Sequence, residues 1–66
     1  MKIVVNGEAL ICRDCLTIQD LLMEMGIVPE TVIVERNSGF VQRSEFQTTT
    51  VSEGDSLELI KFVGGG

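Results

Sequence analysis

The run EGDSLELIKFVGGG, residues 53–66, decides how this chain is read. From Ser56 onward its side chains alternate: Leu57, Leu59 and Lys61 fall on one side, Ser56, Glu58, Ile60 and Phe62 on the other. That period of two is the pattern of a β-strand. A hydrophobic strand so late in a chain of 66 residues is expected inside a sheet, not at its edge. The strand then runs without a polar stop into three glycines. Glycine loses more backbone freedom on ordering than any other residue, so Gly64–Gly66 stabilise nothing by themselves. They are expected to form a flexible tail, 64–66, on a domain spanning 1–63.

The segments upstream supply that strand with neighbours. KIVV and EALIC, at 2–5 and 8–12, flank Asn6-Gly7, a hairpin signal because both turn positions need positive φ. In TIQDLLMEMG, residues 17–26, Ile18, Leu21, Leu22 and Met25 share one helical face, which is expected to pack as core. Thr17 is suited to the N-cap, Asp20 to the positive end of the helix, Gly26 to the left-handed exit, and Pro29 forbids continuation. TVIVER (31–36) reads as a third strand, NSG (37–39) as a turn, FVQ (40–42) as a brief extended segment and RSEF (43–46) as a single helical turn. TTTV (48–51) reads as one more extended segment before the SEGD turn (52–55). One helix among short strands must cover one sheet face, so the expected class is α+β, a mixed sheet of four to five strands with one main helix.

Composition excludes several functions. Ten acidic and five basic residues with no histidine give a net charge of −5, which provides no basic stripe for nucleic acid. No apolar run approaches the roughly 20 residues of a membrane span, and the three apolar residues after Lys2 fall short of a signal-peptide core. A cytoplasmic protein, binding neither nucleic acid nor membrane, is expected. A domain this small cannot hold both a core and a deep pocket, so a module acting on or inside a partner is expected rather than a self-sufficient enzyme. Cys12 and Cys15 form a lone C-x-x-C. Two thiolates do not complete a tetrahedral zinc site, and the expected helix starts too late for a redox motif. They read as two reduced thiols near a strand end, and no metal or bound cofactor is expected.

If Leu57 and Leu59 face the helix, Ile60 and Phe62 face solvent just before the tail. Exposed apolar residues are common, and loops can cover a second face. Beside a flexible tail, however, such a patch can dock a partner. Extended, Val63–Gly66 reach at most about 14 Å, and the glycines fit a channel too narrow for side chains. The distinctive group there is the α-carboxylate of Gly66. It resists nucleophiles until condensation with ATP makes an acyl adenylate, from which sulfur or an amine displaces AMP. That chemistry needs an activating enzyme. An inert tail on a binding module is the alternative.

The NGE hairpin (6–8), LTIQDLL (16–22), FVQRSEF (40–46), EGDSLELI (53–60) and FVGGG (62–66) together resemble the ThiS family, the β-grasp, ubiquitin-like sulfur carriers of thiamin biosynthesis. The resemblance covers nearly the whole chain. It implies that an adenylating, ThiF-type (E1-like) enzyme uses ATP to activate Gly66, and that a cysteine-desulfurase persulfide replaces AMP to leave a thiocarboxylate. Thiazole synthase, ThiG-type, would accept that sulfur. Gly64 and Gly65 would thread partner channels, with Ile60, Phe62 and Val63 as the docking surface, and the chain would be a cosubstrate rather than an enzyme. Gln42 stands where the family often has proline, and Phe46 where tryptophan or tyrosine is common. The neighbouring alternatives are the small subunit of molybdopterin synthase, a carrier for another sulfur pathway, and a modifier joined to target lysines.

Overall fold

The computed structural model describes residues 1–62. Lys2–Val5 (β1) and Glu8–Ile11 (β2) form an antiparallel hairpin, with Val5 opposite Glu8 across the turn. Asn6 and Gly7 both take positive φ, 51° and 82°, as a two-residue turn matched to strand twist requires. The chain then enters a helix, Ile18–Glu24 (α1), and a 3-10 turn, Pro29–Thr31. Val32–Arg36 (β3) and Gly39–Val41 (β4) follow as a second hairpin, its turn made by Asn37 and Ser38 at φ 50° and 73°. A second 3-10 turn, Arg43–Glu45, precedes the last strand, Ser56–Lys61 (β5).

These strands make one five-stranded sheet in the order β2-β1-β5-β3-β4. β5 lies at its centre, parallel to β1 and antiparallel to β3. The last strand is therefore interior, as its hydrophobicity predicts, and the α+β mixed sheet with one main helix is the β-grasp architecture. Ile3 and Val5, Val32 and Val34, and Leu57 meet Ile18, Leu21 and Leu22 in a single core, closed by Leu16, Phe46 and Val51.

Two expectations need correction. Met25 is not part of the core stripe. The helix ends at Glu24 and Met25 is its C-cap, 42 % exposed, so the apolar face stops one turn short of it. TTTV, read as an extended segment, begins instead as a turn. Thr48 and Thr49 N–H groups donate back to the Glu45 carbonyl as a turn, and Thr50 alone bridges Thr17. The reason lies at the helix entry. The first N–H groups of a helix have no partner within it, and here the Thr49 and Phe46 carbonyls accept from Ile18 and Gln19 at 3.0 and 2.9 Å. The segment is held on α1, with Phe46 and Val51 buried beneath it.

Candidate functional site

Both turns grip β5. The Asn37 side-chain oxygen accepts from the Ser56 N–H at 2.9 Å, and that of Asn6 from the Leu59 N–H at 2.8 Å. Asp55, just before the strand, is buried and accepts from Arg36 Nε at 2.8 Å, from Asn37 Nδ2 at 3.1 Å and from the Ser52 N–H at 2.8 Å. Burial pushes its carboxyl up, but the hydrogen bonds from Arg36, Ser52 and Asn37, with the guanidinium charge, outweigh that and hold it below its ordinary value. The start of β5 is thus anchored by polar groups that sequence spacing alone does not pair.

From there the strand presents two unlike sides. On the helix side burial fades along it: Leu57 is fully buried, Leu59 half-buried and Lys61 exposed. On the outer side register pairs Ile60 with Ile33, and Glu58 with Glu35, which in turn pairs with Phe40. Ile60 and Phe62 are 45 % and 38 % exposed, beside Ile33 at 41 % and Phe40 at 74 %. Ile60 and Phe62 therefore lie where the alternation of the sequence puts them, on an open face. The Phe62 N–H still donates to the Thr31 carbonyl at 3.1 Å, so pairing with the β3 side extends past the end of β5. Val63, Gly64, Gly65 and Gly66 lie outside the described residues, as does the domain boundary expected at 63.

The same face holds residues that sequence reasoning did not single out. Ile33 alternates with Val32 and Val34, so once those are buried it must point outward; that signal was available. Phe40 and Glu35 join it through the Asn37–Ser38 turn, whose register is a property of the fold. Glu35 and Glu58 sit directly opposite each other with no cation within ion-pair distance among the described residues. Cys12 is half-buried just after β2, and Cys15 is exposed at φ 66°. Both are free thiols at the far end of the sheet from Lys61, since β1 ends beside the start of β5 and β2 runs back along β1 to the opposite end. Among the described residues no helix is long and apolar enough to cross a membrane.

A mixed sheet whose central last strand carries an exposed apolar face toward a C-terminal glycine run defines a protein of the ubiquitin-like β-grasp class. Residues 3–66 match the sequence profile of the ThiS family. The sulfur carrier protein ThiS of Bacillus subtilis is 37 % identical over 54 residues, 82 % of either chain. The crystal structure of the thiamine biosynthesis protein ThiS from Geobacter metallireducens superposes with a TM-score of 0.87 at 35 % identity, covering all of both chains. A thiazole synthase of Paramagnetospirillum magneticum is 41 % identical across all 66 residues, which make up 20 % of that protein; the chain thus spans a fifth of the length of that relative. The chain belongs to the ThiS family.

Proposed function

We propose that this protein is the sulfur carrier of thiazole formation in thiamin biosynthesis, with the Gly66 carboxyl as the carrying group. An adenylating enzyme binds the domain, and the carboxylate attacks the α-phosphorus of ATP with loss of pyrophosphate. A persulfide sulfur, supplied by a cysteine desulfurase or an equivalent donor, attacks the acyl adenylate and AMP leaves. A two-electron thiol reductant then cleaves the remaining S–S bond and frees the thiocarboxylate, whose sulfur passes to thiazole synthase. The protein turns nothing over itself. Gly64 and Gly65 admit the terminus into narrow channels, because close backbone approach needs residues without side chains.

The observation that carries this reading is the position of β5: a central strand, held by β3 along its length and by β1 at its start, with only Phe62 and Val63 between it and the glycine run. A rigid strand can aim a tail in a way that a loop cannot. The docking face is then Ile60 and Phe62 with Val63, joined by Ile33 and Phe40, and the Glu35–Glu58 pair suits a partner surface bearing arginine or lysine. Full-length kinship with ThiS favours thiazole synthase over the molybdopterin synthase acceptor. In the decisive assay, protein loaded with radiolabelled sulfur is offered to each acceptor. Label should appear in the thiazole product. Transfer only to the molybdopterin enzyme would contradict the assignment.

A further inference from the structure

The register between β1 and β5 stops at Val5–Leu57, where β1 turns away through Asn6-Gly7, yet β5 continues to Lys61. Phe62 N–H donates to Thr31, so residues 58, 60 and 62 aim their backbone groups at β3, and 57, 59 and 61 aim theirs the opposite way. The Asn6 N–H bond to the Leu57 carbonyl agrees with this alternation. Beyond it, the Leu59 N–H is taken by the Asn6 side chain. No strand among the described residues flanks the Leu59 carbonyl or the N–H and carbonyl of Lys61. The central strand of the sheet therefore becomes an open edge over its last residues, immediately before the tail.

An open row of backbone donors and acceptors is a template for one kind of partner, an extended segment of another chain. We propose that Leu59–Lys61 pair with an extended segment of the adenylating enzyme, adding a strand beside β5 where β1 has left off. This rests on the reading that Gly66 is adenylated. Its purpose is depth. Side-chain-free residues cannot report how far a tail has entered a channel, and a slip of one residue along a strand displaces the terminus by about 3.3 Å. That displacement is as large as the whole reacting distance, roughly 3–3.5 Å, between carboxylate and phosphorus. Backbone pairing fixes register in steps of the ladder, and a ladder begun at Leu59 can be continued along glycines, which offer only backbone groups to hold.

Proline and alanine at position 61 separate this from a contact of the Lys61 side chain. Both substitutions remove the ammonium, but only Lys61→Pro removes the N–H that points to the open edge. Because that N–H serves no strand among the described residues, both variants should melt close to the parent. Lys61→Ala should be adenylated like the parent, whereas Lys61→Pro should show a KM raised about tenfold, the loss expected for one interfacial hydrogen bond and its neighbours. Equal KM values for the two variants would overturn the proposal. Should Lys61→Pro fail to fold, amide hydrogen exchange of the unsubstituted protein decides: the Lys61 N–H should exchange at least tenfold more slowly with the enzyme bound in the absence of ATP. An unchanged rate in a complex that demonstrably forms would overturn it, as would protection in the free protein that grows with its concentration, which would assign the edge to a second copy. A parent protein that neither binds the enzyme nor is adenylated would refute the carrier reading itself, a result distinguishable because no variant would then differ from another.

Discussion

Asp55 is the buried charged residue among those described, and its ionisation is coupled to folding. Its carboxyl titrates below the ordinary value in the folded state. The ionised form is thus favoured by folding: the contribution is complete above the unfolded value near 3.9 and is lost as pH falls through the lower, folded one. Asp55→Ala should cost about 1–3 kcal/mol at neutral pH, since Arg36, Asn37 and the Ser52 N–H lose their acceptor together. The same variant should show a flatter loss of stability below pH ~4; an acid profile parallel to the parent's would show that other carboxylates dominate. Phe62 behaves oppositely. At 38 % exposure it contributes little to the core, so Phe62→Ala should shift the melting temperature slightly while weakening binding to the adenylating enzyme by about 1 kcal/mol or more. Equal losses in both would place Phe62 in the fold and remove it from the docking face.

The helix and the β1–β2 hairpin were readable in advance because their instructions are local. Asn6-Gly7 needs only its own φ values, and Thr17 with Asp20 closes a reciprocal capping box, each backbone N–H bonded to the other's side chain at 3.2 and 3.0 Å. Thr17→Ala should accordingly cost about 1 kcal/mol in denaturant unfolding. What was misread depends on distant partners. Residues 48–51 look like an extended segment by composition, but the unsatisfied amides of α1 are met by the Phe46 and Thr49 carbonyls. The β3–β5 pairing carries a sharper test. Glu35 and Glu58 face each other across it, and like charges placed so are destabilising by some tenths of a kcal/mol. The double variant Glu35→Gln, Glu58→Gln should be as stable as the parent or more so, yet bind the adenylating enzyme more slowly and with a weaker dependence on salt. A drop in stability with unchanged association would make the pair structural.

Taken as one object, the protein has a core of eleven buried apolar side chains among the described residues and a sequence that runs on into three glycines. The three glycines were legible in the sequence because they are chemical facts of the chain. The face that accompanies them was only half legible: Ile60 and Phe62 follow from alternation within one strand, whereas Phe40, Glu35 and the open edge at Leu59–Lys61 exist only once five strands are ordered. The division of labour between rigid strand and bare terminus is tested by intact mass. Incubated with ATP, the adenylating enzyme and a persulfide donor, the protein should gain one sulfur in place of one oxygen, and the chain lacking Gly66 should keep its melting temperature and show no gain. An unchanged mass under conditions in which another ThiS protein acquires sulfur, or the same gain without Gly66, would contradict the account.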